Sequence, residues 1–152
     1  MSINIYEYWM RKALNQAKKA EEINEVPVGA IVVLDEKIIA ASHNMPIVSN
    51  DPTSHAEINA IRDASIKINN YRLSGATLYV TLEPCIMCYG AIINSRISKL
   101  VFGAFDSKNG VSRSIIKLHE ENYFNHIPEV EGGVLEEECS LILKNFFKGK
   151  RG

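Results

Sequence analysis

This chain has no excess of either charge and no long apolar run. Among 152 residues, 17 Lys and Arg stand against 18 Asp and Glu, a formal net charge of −1. That balance excludes a protein that coats nucleic acid by bulk electrostatics, but not one with a local basic patch, because footprint matters more than total. No apolar stretch is long enough to cross a bilayer, and the start, Met1-Ser2-Ile3-Asn4-Ile5-Tyr6-Glu7, lacks the charged-then-apolar layout of a signal peptide. Cysteine is scarce as well. Cys85, Cys88 and Cys139 are too few, and two of them too close, to form a disulfide framework. The expectation is a cytoplasmic protein with no membrane contact. Repeats and low-complexity linkers are also lacking, so one domain is expected over residues 1–152, long enough to bury a proper core.

Helical and extended periods alternate along the chain. Trp9, Ala13, Leu14, Ala17 and Ala20 recur at helical spacing from about Tyr6 to Glu22, with Pro27 expected to end that helix. Gly29 to Leu34 reads as a buried strand, Asp35-Glu36-Lys37 as a hairpin turn, and Ile38 to Ala41 as the returning strand. A loop from Asn44 to Thr53 follows, and Thr53 or Ser54 is placed to cap a helix that begins around His55. Thr77 to Thr81 is a further strand, and Pro84 suits the start of a helix carrying Cys85, Cys88, Ala91 and Ile92. Leu100 to Ala104 is another strand. A short helix over Ser114 to His119, a weak strand near Val130 and a helix from about Glu137 complete the reading. The alternation predicts an α/β fold with helices packed on a central sheet.

Two short segments carry the chemistry: His55-Ala56-Glu57 and Pro84-Cys85-Ile86-Met87-Cys88. One imidazole and two thiolates suit zinc, and three protein ligands leave a tetrahedral ion one open position, the mark of a catalytic rather than a structural site. Cys85 and Cys88 share a face near a predicted helix start, where the dipole favours thiolate. Glu57 lies two residues from His55, so it is a poor second ligand from the same helix. It is better suited to move a proton between water and a substrate atom. Cys139, on an amphipathic helix, reads as a buried small hydrophobe. Lys144, Lys148, Lys150 and Arg151 crowd the end of that helix after Glu136-Glu137-Glu138, which fits the helix dipole as well as it fits a binding edge.

With those residues in view, the chain resembles the zinc-dependent cytidine deaminase superfamily, whose signature is H-x-E with P-C-x-x-C. Glu25 to Ala30, Asp51 to Glu57, Asn70 to Leu73, Ala76 to Cys85, Ser95 to Ile97 and Val101 to Ala104 resemble the bacterial tRNA-specific adenosine deaminases more closely. The likeness spans nearly the whole chain and is weakest between Ser112 and Glu129. It implies a three-layer α/β/α sandwich around a mixed sheet of about five strands. It also implies hydrolytic conversion of adenosine to inosine at the wobble position of a tRNA anticodon loop, by attack of zinc-activated water at C6. By that resemblance His55, Cys85 and Cys88 hold one Zn²⁺ per subunit and Glu57 shuttles protons. Asn44 meets the inserted base, and the backbone N–H groups of Ala56 and Cys85 face the site. Met45, Pro46, Ile47, Leu82, Asp106, Ser107, Lys108, Asn125 and Phe147 match positions around the bound strand. Lys148, Lys150 and Arg151 gain a purpose as phosphate contacts. The partners implied are an anticodon stem-loop and a second copy of the chain in a homodimer; an apolar stripe through Ala91, Ile92 and Ile93 fits a packed helix.

Two rivals stay open at this point. A small-molecule deaminase of the same superfamily, acting on guanine, cytosine or a nucleoside, would share the zinc chemistry and differ only at the pocket rim. A zinc-stabilised RNA-binding module without catalysis would leave Glu57 incidental.

Overall fold

A computed structural model describes residues 4–121 and 124–151, with the side chain of residue 151 outside the description. Helix α1 (Ile5–Glu22) begins where the Asn4 side chain accepts from the N–H groups of Tyr6 and Glu7 at 3.1 and 3.3 Å. Its buried stripe is Met10, Ala13, Leu14, Ala17 and Ala20, with Trp9 only half-buried. The helix stops before Pro27. Asn24 adopts a left-handed conformation (φ 62°), which asparagine tolerates, and this ends the ladder.

Strands β1 (Gly29–Leu34) and β2 (Lys37–His43) form the expected hairpin, β2 running two residues past Ala41. Asp35 and Glu36 both take positive φ, 51° and 62°, the turn geometry that matches strand twist. The loop after β2 contains a short helix not expected from sequence, α2 (Pro46–Ser49). Helix α3 (Ala56–Lys67) is capped neither by Thr53 nor by Ser54: those hydroxyls bond Asp51 and Asn59. His55 occupies the cap position, and Asn44 Oδ1 accepts the Ala56 N–H at 2.7 Å instead.

Strand β3 (Thr77–Leu82), α4 (Ile86–Asn94) and β4 (Lys99–Ala104) follow as read. The helix expected over Ser114 to His119 is only a 3-10 turn at Leu118–Glu120. The Leu118 N–H, which such a helix would direct to the Ser114 carbonyl, goes to the Val111 carbonyl, and the N–H groups of Ser112, Arg113 and Ser114 go to the Glu83 carboxylate. Short β5 (Glu129–Glu131) and α5 (Glu136–Arg151) close the chain, and among the described residues no helix is long and apolar enough to cross a membrane.

The sheet order is β2-β1-β3-β4-β5, antiparallel on both sides of β1 and parallel from β3 through β5. Alternate residues supply two cores. On one face Val32, Leu78, Val80, Leu100 and Phe102 pack against Ala56, Ala60 and Ala64 of α3 and Tyr89, Ile92 and Ile93 of α4. On the other face Ile31, Val33, Tyr79 and Val101 meet α1, together with Cys139 of α5. The result is the mixed-sheet α/β/α sandwich that the resemblance implied. Ile92 and Ile93 are consumed by this core, so the apolar stripe of α4 is not a free face.

Two glycines set how closely helices approach the sheet. A Cβ at Gly29 would run into the Ala13 carbonyl oxygen of α1, and one at Gly103 into the Cys139 sulfur of α5. Gly149 near the end of α5 has open space around it. Gly29→Ala is therefore expected to lower stability by about 3 kcal/mol or more through overpacking against rigid backbone. Gly149→Ala is expected to raise it by roughly 0.5–1 kcal/mol through helix propensity. Urea denaturation of both variants checks the contrast.

Candidate active site

β2 and β3 each oppose β1, and β4 runs with β3. The carboxyl ends of β2, β3 and β4 therefore share one edge of the sheet with the amino end of β1. In open α/β sheets ligands bind outside that kind of edge. Helices α3 and α4, which follow β2 and β3, both begin there.

His55 and Cys85 occupy the cap positions of those two helices, and neither side chain caps its own helix. Both are free to face each other. His55 Nδ1 lies 3.7 Å from Cys85 Sγ and 3.4 Å from Cys88 Sγ. Tetrahedral zinc with its usual bond lengths separates a nitrogen and a sulfur ligand by about 3.6 Å. The three donors fit the ion, and their ligand atoms all lie within 4.8 Å of one another. Among the described residues they are the one His/Cys/Asp/Glu trio found at such spacing.

The electrostatics follow from two helix N-termini aimed at one point. The Cys85 thiol is pulled down to about 3, chiefly by the Cys88 S–H it accepts and then by His55. Cys88 is raised by that same bond, in which it is the donor, and by burial. His55 is raised by its hydrogen bond with Cys85. Glu57, in the first turn of α3 and 4% exposed, has its carboxyl pushed up to about 7 by burial. A carboxyl held there takes and returns protons near neutrality. Cys139 lies in the core on the far face of the sheet, its thiol pushed up to about 12 by burial. It is remote from this chemistry.

A cleft of about 1010 Å³ opens over the trio and is lined by Asn44, Pro46, His55, Glu57, Leu82, Cys85, Asp106, Ser107, Lys108 and Phe147. These residues come from five separate stretches of the chain and were all candidates in the sequence. Met45 and Ile47 flank Pro46 but are not in the lining, and Ala56 is fully buried with its N–H committed to Asn44. Asn125 is exposed and does not line the cleft; its neighbour His126 is spent on the Ile97 carbonyl at 2.6 Å. Lys148 lines a smaller adjoining groove of about 500 Å³ with Lys108, Leu143, Lys144 and Phe147. Lys150 stacks over Phe146, its Nζ 5.4 Å from the ring centroid, and the Arg151 side chain lies outside the described residues.

Sequence reading missed Val26, Val28, Glu83, Phe105, Asn109 and Leu143 in this lining. It also gave Lys144 no more than a place in the basic tail. The i, i+4 spacing of Leu143 and Phe147, and of Lys144 and Lys148, was the available signal. Glu83 accepts five hydrogen bonds from the loop after β4. Burial alone would raise its carboxyl, but these bonds hold it below the usual range.

A model of the MafB19-like deaminases matches residues 5–151. The tRNA-specific adenosine deaminase of Bacillus subtilis is 50% identical over 145 residues, covering 95% of this chain and 90% of that protein. The enzyme of the same description from Haemophilus influenzae is 52% identical over 146 residues, covering 95% and 84%. A solved structure from studies of A-to-I editing by tRNA:A34 deaminases superposes with a TM-score of 0.87 at 45% identity, covering 90% of this chain and 99% of that one.

Removing a donor tests the metal site directly. Cys88→Ser is expected to lose bound zinc on dialysis, whereas Cys139→Ser should keep about one zinc per chain, as three-ligand sites hold a single ion. Metal content by atomic absorption reads both, and equal zinc in the two variants would contradict the ligand set.

Proposed function

The chain belongs to the MafB19-like deaminases and, within them, to the tRNA-specific adenosine deaminases, and from that premise we propose how its residues act. It converts adenosine to inosine at the wobble position of tRNA. His55, Cys85 and Cys88 would hold one zinc ion, which when bound supplies the positive charge that lets water ionise near neutral pH. Glu57 takes one proton from the water that attacks C6 and gives it to the purine ring nitrogen; it then carries the second proton, from the new C6 hydroxyl, to the amine, so that the C–N bond breaks, ammonia leaves and C6 becomes a carbonyl. Its buried carboxyl, already poised near neutrality beside the three donors, is the observation that carries this assignment.

Asn44 orients the base. Its oxygen is committed to the Ala56 N–H, so its NH₂ is the group left to meet a purine nitrogen. The same bond ties the base-reading residue to the helix that carries His55 and Glu57. Leu82 and Phe147 supply apolar surface beside the ring, and Pro46, Asp106, Ser107 and Lys108 form the walls along the strand. The lysines of the adjoining groove, Lys108, Lys144 and Lys148, favour a polymer with phosphates over a free nucleoside. We assign Lys148, Lys150 and Arg151, joined by Lys144, to phosphate contacts with an anticodon stem-loop, whose unstacked bases enter such a pocket at low cost. Met45, Ile47 and Asn125 stay assigned to the outer rim of that RNA, on the strength of the resemblance alone. The enzyme acts as one domain per chain, in the cytoplasm, as a homodimer. Ile86, 68% exposed at the start of α4, is apolar surface suited to a second copy.

Glu57→Ala is expected to keep its zinc but lose turnover by about 10²–10⁴-fold, the range for a general acid–base group. Inosine formation in an anticodon stem-loop reads the loss, and persistent activity would remove Glu57 from the mechanism. Free adenosine, cytosine and guanine offered to the purified enzyme should stay unconverted while the stem-loop is edited; the reverse would make this a small-molecule deaminase. Sedimentation should give twice the chain mass, and a monomer at assay concentration would count against the dimer.

A further inference from the structure

Two carboxylates that neither hold metal nor move the reacting proton are buried beside the cleft. Glu25 is 1% exposed and Glu83 2%. Neither takes part in an ion pair found among the described residues. A buried carboxylate without a countercharge is costly unless its lone pairs are filled. Both are filled by loops. Glu25 accepts the Ile47 N–H on one oxygen at 3.2 Å and the Val48 N–H on the other at 2.8 Å. Glu83 Oε1 accepts the Asp106 N–H at 3.0 Å and the Ser114 hydroxyl. Its Oε2 accepts the N–H groups of Ser112, Arg113 and Ser114 at 3.0, 2.7 and 2.9 Å.

The placement is symmetrical about the cleft. Glu25 stands just before β1 and Glu83 just after β3, the two adjacent strands beneath the site. The loops they hold follow β2 and β4, the outer neighbours of that pair. One of these loops carries the Pro46 wall and the other the Asp106, Ser107 and Lys108 wall. Glu83 also lies two residues from Cys85, so its wall is tied almost directly to a metal ligand. Contact on that side is close: a Cβ at Gly110 would run into the Glu83 carboxyl. All these donors are N–H or O–H groups, so only a carboxylate, with two accepting oxygens, matches them.

We propose that Glu25 and Glu83 are positioning residues, which hold the two walls of the cleft at a set separation around the metal centre and so determine how the RNA strand is seated. The proposal rests on the reading of the cleft as an RNA site. An amide in place of either carboxyl would turn an NH₂ toward N–H donors and release the loop. The wall would move while the zinc ligands and Glu57 stayed in place.

The test uses the zinc-loaded full chain as Glu25→Gln, Glu83→Gln and the double variant. Amide hydrogen exchange is expected to quicken at least about tenfold at Ile47 and Val48 in the first, and at Asp106 and 112–114 in the second, because the charge-assisted bond is lost. Exchange in β3 and α4, and zinc content, should not change. For an anticodon stem-loop, KM is expected to rise about tenfold in each single variant with kcat within about threefold, and about a hundredfold in the double, since separate walls add. Unchanged exchange, a fall in kcat at constant KM, or loss of zinc would each overturn the proposal. Should Glu83→Gln fail to fold, Ser114→Ala removes one donor to the same carboxyl. Its expected mark is faster exchange at 112–114 with a KM raised about threefold, and no change in either would overturn the Glu83 assignment. If the unaltered enzyme makes no inosine in the stem-loop, the RNA reading falls, and the exchange result alone decides whether the carboxylates grip the walls.

Discussion

Two helix N-termini meet at one point, and the remainder of the molecule is arranged to keep them there. Unpaired N–H groups at the starts of α3 and α4 create a positive field that favours thiolates and a water giving up its proton. The field falls off within a turn, so His55 and Cys85 must stand at the helix caps themselves, as they do. Their helices share one face of the sheet and one core, in which Ala56, Ala60 and Ala64 allow α3 to lie close. Burial of Glu57 comes from the same packing. One geometric fact thus yields both the cation site and a carboxyl poised near neutrality beside it.

Around that point the polar groups act in linked pairs. Asn44 bonds the first N–H of α3, so a residue of the cleft lining is coupled to the helix that begins at His55 and carries Glu57. Glu25 and Glu83 reach from the two central strands to the loops outside them. Each pairing satisfies a buried group that would otherwise be costly, and each also fixes a wall. The same hydrogen bonds that satisfy these groups hold the loops around the cleft, through backbone amides rather than long mobile side chains.

The fold was largely legible because most elements bury one face or two. Gly29 to Leu34 read as a buried strand, and α1 as a helix, from apolar spacing alone. Errors fell where another partner outbid the local pattern. The cap expected from Thr53 or Ser54 came from Asn44, and the Leu118 N–H of the helix expected over Ser114 to His119 went to the Val111 carbonyl. The α4 stripe of Ile92 and Ile93 packs into the core, as its apolar spacing implied for a packed helix.

Donor chemistry, by contrast, needs no fold to be read. One imidazole, two thiols three positions apart and a carboxylate two residues from the imidazole mark out a candidate metal cluster by residue type and spacing. Sequence by itself determined which donors the chain carries, together with the α/β class. Tertiary structure alone decided which loops wall the cleft, what Asn44 has left to offer a base, and where Glu25, Glu83 and Lys144 stand. The reason is distance along the chain: Asn44 and Ala56 are 12 residues apart, Glu25 and Val48 23, and Glu83 and Ser114 31. Local periodicity reports neighbours within a helical turn or a strand pair. Contacts across such spans exist only once the sheet has brought its strand ends to one edge.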